Sequence, residues 1–137
     1  MLAILAAAEG GAYSPVQIQK AAFVLDRNLP QLFSDGSKFH FTPYDYGPFD
    51  RSVYSEVEKL EAEGLAVVNQ SAGRWRTYAA SPQGVEQGKL LLAALPAAHS
   101  DYVRRVSEWV RSLDFATLVK SIYAAYPEMK ANSVFQG

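Results

Sequence analysis

The chain has 137 residues and 15.1 kDa, 49% hydrophobic and 20% charged, a length that suits one core burying roughly two thirds of the unfolded surface. Its 13 Lys and Arg against 14 Asp and Glu, net charge −1, exclude a strongly basic polyanion binder, and the absence of cysteine excludes disulfide frameworks and zinc knuckles and suits a reducing, cytoplasmic setting. The longest apolar runs, Leu2 to Ala8 and Leu90 to Ala98, fall short of the ~20 residues that span a bilayer, and no positive charge precedes the first, so neither a membrane span nor a secretory signal is expected.

An Ala-rich helix over Leu2 to Ala8 is expected to close at Gly10-Gly11, where glycine accepts a left-handed backbone. Ser14-Pro15 reads as an N-cap and first helical residue, and Ile18, Ala22, Leu25 and Leu29 then recur at helical spacing until Pro30. Residues 30–48 break that pattern and predict a loop with one short extended piece around Phe39-His40-Phe41, with Gly47-Pro48 bending into the next helix. Asp50 reads as an N-cap, and Val53, Val57 and Leu60 with Gly64 at the end predict a helix over 50–63. Leu65 to Val68, a turn over 69–73 and Arg74 to Tyr78 alternate with period two and predict a β-hairpin. Ser81-Pro82 opens a further helix to about Leu95, stopped by Pro96. Tyr102, Val106, Trp109 and Leu113 mark the apolar stripe expected of the next helix. Asp114 caps a last one with Phe115, Leu118, Ile122 and Tyr126 on its face, ended by Pro127.

The order of helix, Gly turn, strand, polar hairpin, strand and Ser-Pro-x-Gly helix start, from Leu60 to Gly84, resembles the "L-x-x-x-G-L-V … R-x-Y-x-L-T-x-x-G" passage of bacterial winged-helix regulators. The fold expected is α+β, mainly α. It has a winged-helix-like core over 1–96, carrying a β-hairpin wing and the aromatic insertion 30–48, and a helical extension over 97–137 packed on that core or on a second copy. A DNA reader of this type would use Arg51, Ser52 and Ser55 at its helix start and Arg74 and Arg76 on the wing. Charge opposes it: the helix 50–63 carries two basic against five acidic residues, net −3, on the element that would face a polyanion. About 20 residues also separate the two helices where a helix-turn-helix allows ~3 to 4.

Phe39, Phe41, Tyr44, Tyr46, Phe49 and Tyr54 gather six of the chain's 17 aromatic residues within 16 positions. Most of these rings are expected to fill core space, with Tyr44 and Tyr46 left on the surface as a contact patch for another protein. A stacking platform for nucleic acid is disfavoured because only Lys38 and Arg51 flank the segment.

The segment Phe41-Thr-Pro-Tyr-Asp-Tyr-Gly-Pro-Phe-Asp50, with Lys20-Ala-Ala-Phe-Val-Leu-Asp26 before it, Val53-Tyr54 after it and Tyr126-Pro127-Glu128 near the end, resembles the SocA-like antitoxins, or Panacea domain, and phage-associated relatives. That resemblance implies a non-enzymatic protein that binds a toxin-like protein partner directly, with Tyr44, Asp45, Tyr46, Gly47, Pro48 and Phe49 as its contact surface. DNA binding stays as the alternative.

Catalytic signatures are scarce. His40 and His99 are distant in sequence and read as surface or packing residues. No G-x-S-x-G elbow, Walker loop or G-x-G-x-x-G occurs, and Asp45 and Asp50 are explained by turn formation and capping. Neither enzymatic activity nor a cofactor or metal is expected. From Leu65 onward eight basic residues face five acidic ones, net +3. Arg104, Glu108 and Arg111 there are spaced for pairing along one helix face.

Overall fold

The computed structural model describes residues 1–33, 39–70 and 75–135. These form an α+β fold, mainly α: helices α1 (Leu2–Ala6), α2 (Pro15–Asn28), α3 (Ser52–Ala62), α4 (Pro82–Ala94), α5 (Ala97–Ser112) and α6 (Phe115–Ala125). Two antiparallel hairpins join them, β1 (Thr42–Tyr44) with β2 (Gly47–Phe49), and β3 (Ala66–Gln70) with β4 (Arg76–Ala80). Single 3-10 turns cover Pro30–Phe33 and Pro127–Lys130.

Local chemistry sets the helix starts. Ser14 caps α2 in a reciprocal box, its hydroxyl accepting from the Gln17 amide at 3.2 Å while the Gln17 side chain accepts from the Ser14 amide at 2.8 Å. Ser81 does the same for the Gly84 amide at 3.0 Å and Asp114 for the Thr117 amide at 2.8 Å. At α3 the expected cap moves by one residue. Arg51 occupies the cap position without a side-chain bond, and the Asp50 carboxylate instead takes the Ser52 amide at 2.8 Å and hydroxyl at 2.6 Å. Helix α1 stops at Ala6, two residues early, because Glu9 and Gly10 both take positive φ in the turn that follows.

Helix α2 is the axis of the molecule. Every residue from Ile18 to Leu25 is buried, which happens when neighbours surround a helix on all sides. Helices α5, α6 and α3, the hairpin strands β2 and β4, and the turn Pro30–Phe33 all touch it. Two polar residues are buried with the rest, Gln19 and Lys20, and both reach the same segment. Gln19 donates to the Asp50 carbonyl at 2.9 Å and accepts from the Asp50 amide at 3.0 Å, and Lys20 donates to the Pro48 carbonyl at 3.1 Å. A side chain from the central helix thus completes backbone groups that the first hairpin leaves unpaired.

The insertion corrects the sequence-based expectation of a loop with one extended piece. Residues 42–49 form a hairpin with Pro43 opposite Pro48 and Tyr44 opposite Gly47. Gly47 and Pro48 are therefore strand residues, and the bend into α3 falls at Asp50-Arg51. The segment after α6 clamps this hairpin: Val134 donates its amide to the Asp45 carbonyl at 2.9 Å, and Asn132 its side-chain amide to the Pro43 carbonyl at 3.2 Å.

Beyond α3, Gly64 takes φ +78° and the chain enters β3. The strands run over 66–70 and 76–80, so β3 includes Asn69 and Gln70 of the expected turn at 69–73 and β4 begins two residues later than expected; residues 71–74 lie outside the described part. One further backbone pairing joins Tyr13 to Tyr78, with bonds of 2.8 and 2.9 Å in the two directions. The chain order is therefore α1, the Tyr13 bridge, α2, the first hairpin β1–β2, α3 and the second hairpin β3–β4.

The apolar stripe of α5 also differs from expectation. Val103, Val106 and Val110 are buried together with Ser100 and Ser107, whereas Tyr102 is half-buried and Trp109 is 37% exposed. The two serines enter the core because Ser107 shares a hydrogen bond with the buried Tyr13 hydroxyl, which also donates to the Ile4 carbonyl at 2.6 Å, while the Ser100 hydroxyl donates to the Ala97 carbonyl at 3.2 Å. On α6 the inward face is Leu118, Val119, Ile122 and Tyr123, and Phe115 stands out at 44% exposure. Arg111 does not serve the expected surface pairing with Arg104 and Glu108. Its guanidinium lies across Gly11 and 5.8 Å from the centre of the Tyr13 ring, and the ion pair found on α5 joins Arg105 to Asp101 at 3.1 Å.

Candidate functional site

The first hairpin, the N-terminal turns of α2 and α6, and Trp75 just before β4 line an open groove of about 790 Å³. A volume of this order is typical of ligand and peptide sites. Six aromatic residues contribute to its walls. Tyr44 stacks on Phe49 with centroids 5.0 Å apart, and Phe49 meets Tyr54 edge-on at 5.9 Å; Tyr54 in turn stacks on Tyr78 at 5.4 Å. On the other side Tyr46 meets Phe115 edge-on at 5.0 Å, and Phe115 leads to Phe135 at 6.0 Å. Pro15, Val16, Leu113 and Leu118 supply aliphatic surface between these two rows.

The six residues expected to contact a partner divide cleanly. Tyr44 at 53% and Tyr46 at 43% are exposed, and with Asp45, Gly47 and Phe49 they line the groove. Pro48 is buried behind them and serves as the acceptor for Lys20. Phe39 is buried, and Phe41, Phe49 and Tyr54 are half-buried, so the insertion does supply core rings while keeping two outside. Gly47 adopts φ +103°, a conformation that favours glycine, and a Cβ there would meet Tyr123 Cε1 at 3.3 Å and Lys20 Nζ at 3.7 Å.

Sequence reasoning missed four contributors to the groove: Lys20, Trp75, Phe115 and the Pro15-Val16 pair. Trp75 is the most exposed ring, at 63%. The available signal was positional, since Pro15 and Phe115 each follow a helix cap and so sit at a helix start, where side chains lean toward the N-terminal end of the helix. Lys20 is 3% exposed, and burial lowers its pKa from 10.5 to about 7. Among the described residues no carboxylate lies within 4 Å of it.

The residues of the DNA alternative are differently placed. Arg51 and Ser55 are exposed on α3, but the Ser52 hydroxyl is committed to Asp50. Arg76 is exposed and donates from Nε to the Gln70 side chain at 3.1 Å, and Arg74 lies outside the described residues. Glu58 and Glu61 are exposed on α3 and Glu63 at its C-cap, and Glu61 accepts the Val68 amide at 3.1 Å, joining α3 to β3.

His40 is exposed on the insertion, and His99 is half-buried near the start of α5. Among the described residues no cluster of three or more His, Asp or Glu could hold a metal ion. Among them, too, no helix is long and apolar enough to cross a membrane. No protein-family model matches this chain, and no curated protein matches it.

Proposed function

We propose that the chain is a non-catalytic protein-binding module whose contact surface is the aromatic groove of the first hairpin. The observation that carries this reading is the exposure of Tyr44, Tyr46, Trp75 and Phe115 around one continuous apolar trough. Tyr and Trp are enriched at the energetic centres of protein interfaces, because each buries a large area at small entropic cost. The hairpin is braced by Asn132, Val134 and Lys20, so a partner would meet a preformed surface. The resemblance to SocA-like antitoxins gives the partner a class, a toxin-like protein bound by direct contact.

Electrostatics favours this over a winged-helix regulator. Three exposed glutamates on α3 and its C-cap would be placed against phosphate, whereas a protein groove needs no basic field. Affinity capture from an extract of the source organism tests the proposal. One dominant protein should be recovered, and the double change Tyr44→Ala, Tyr46→Ala should release it without altering the thermal unfolding of the domain. Capture that survives the double change would overturn it, as would duplex DNA binding that falls steeply between about 50 and 200 mM salt.

A further inference from the structure

The groove contains one feature that apolar recognition does not need. Among the described residues Lys20 is the single basic side chain lining it. A lysine ammonium carries three protons, and here one goes to the Pro48 carbonyl. Among the described residues the other two meet no acceptor and no carboxylate neutralises the charge. A buried ammonium without a counter-ion is an unfavourable arrangement, and Lys20 and Gly47 both line the groove, with Nζ 3.7 Å from where a Gly47 side chain would begin.

We propose that the groove receives a partner segment bearing a single Asp or Glu set among aromatic or aliphatic side chains, and that its carboxylate pairs with Lys20. The inference rests on the protein-binding reading above and specifies the chemistry of the partner. Apolar neighbours of the carboxylate would lie between the Tyr44 and Tyr46 rows, and the carboxylate would bring the acceptors that Lys20 lacks. Two carboxylates of the chain also line the groove. Asp114, fully exposed, marks its α6 edge and Asp45 its hairpin tip. They disfavour a segment with several acidic residues and accept basic ones flanking the apolar anchor. A charge-assisted hydrogen bond is roughly twice as strong as a neutral one.

The test uses the full chain and two probe peptides, acetyl-Trp-Glu-Leu-amide and its Gln counterpart, titrated to millimolar concentration at pH 6.5 and followed by amide and lysine side-chain NMR shifts. The Glu peptide should bind about tenfold tighter than the Gln peptide, as expected for a hydrogen bond between charged groups. It should also move the Lys20 Nζ and Cε resonances. Lys20→Met should equalise the two peptides, and Tyr44→Ala should weaken both. Equal affinity of the two peptides for the unaltered chain overturns the carboxylate assignment while leaving an apolar groove. Absence of binding by either overturns it as well. The native partner separates the two readings: a partner captured equally by the Lys20→Met chain but lost on exchange of Tyr44 and Tyr46 sinks this inference and leaves the protein-binding reading standing. Should Lys20→Met fail to fold, the Glu against Gln comparison on the unaltered chain decides alone.

Discussion

Lys20 of the central helix and Pro48 of the first hairpin, 28 positions apart, are joined by a 3.1 Å hydrogen bond in which a nearly fully buried amine is the donor. Burial lowers that amine's pKa to about 7. Between pH 7 and 10 the folded chain therefore binds fewer protons at this site than the unfolded one, and stability rises with pH across that window. Above pH 10 the sign reverses, because burial raises Tyr13 and Tyr54 to about 12 and raises Tyr78 as well, so the unfolded chain loses tyrosine protons first. Urea unfolding between pH 6 and 11 should give a maximum near pH 10. Lys20→Met should flatten the rise between 7 and 10 and raise stability at pH 7 by on the order of 2 kcal/mol, as replacement of an uncompensated buried charge does. A flat profile for the unaltered chain would contradict the burial of a titrating Lys20.

Tyr13 supplies a second polar tie. Its hydroxyl reaches the Ile4 carbonyl and Ser107, linking α1, the bridge to β4, and α5. Tyr13→Phe leaves both groups without this partner in the core and should cost about 1–3 kcal/mol. Ser107→Ala should cost less, since Tyr13 keeps the Ile4 carbonyl. The double variant should fall short of the sum of the two, because one bond is removed twice. Chemical denaturation of the four chains closes that cycle, and strict additivity would show that Tyr13 and Ser107 are not bonded in solution.

These two ties explain what could and could not be read from the sequence. Caps were legible because they are local: Ser14-Pro15, Ser81-Pro82 and Asp114 each act within three residues. The stripe of α2, Ile18, Ala22, Leu25 and Leu29, was legible because all four residues are apolar and all are buried. The stripe of α5 was not, since hydropathy favours Tyr102 and Trp109 over Ser100 and Ser107, and only the partner Tyr13, 94 positions from Ser107, makes a buried serine satisfactory. The first hairpin was hidden by its prolines. Proline has no amide for a ladder and usually argues against a strand, but Pro43 and Pro48 are paired opposite each other. In the candidate site Tyr44 and Tyr46 were legible as surface rings, while Lys20 and Phe115 join them only through the tertiary packing of α2 and α6 against the hairpin, and Trp75 by lining the same groove.

Gly47 and Gly10 provide a controlled comparison of two positive-φ positions. Both lie near φ +100°, so alanine brings backbone strain of about 1 kcal/mol at each. At Gly10 the added methyl meets open space, whereas at Gly47 it approaches Tyr123 at 3.3 Å and Lys20 at 3.6 Å. Gly47→Ala should therefore cost about 1 kcal/mol more than Gly10→Ala, measured as the difference in urea midpoint at unchanged slope. It should also change the Tyr44 and Tyr46 ring resonances, which Gly10→Ala should not. Equal costs would mean that the hairpin yields freely at Gly47 and is not clamped between Tyr123 and Lys20.

The entrance to α3 separates a structural residue from one available to a ligand. Asp50 accepts from the His40 amide, the Ser52 amide and the Ser52 hydroxyl. Burial raises its pKa, but these bonds outweigh burial and hold the carboxyl below the ordinary range. Its contribution to stability is present above the unfolded pKa of about 3.9 and is lost as pH falls through the lower folded value. Asp50→Ala should destabilise the domain at pH 7 by about 1 to 2 kcal/mol, the usual cost of removing a helix-start acceptor, and should remove part of the acid sensitivity below about pH 4. Arg51 is exposed and makes no capping bond, so Arg51→Ala should change stability by less than about 0.5 kcal/mol. Because that variant stays folded, it also isolates the DNA alternative. An Arg51→Ala chain that keeps its protein partner, with no duplex binding by the unaltered chain at about 50 mM salt, would remove the role assigned to the α3 start. Loss of the partner would instead extend the contact surface from the hairpin onto α3.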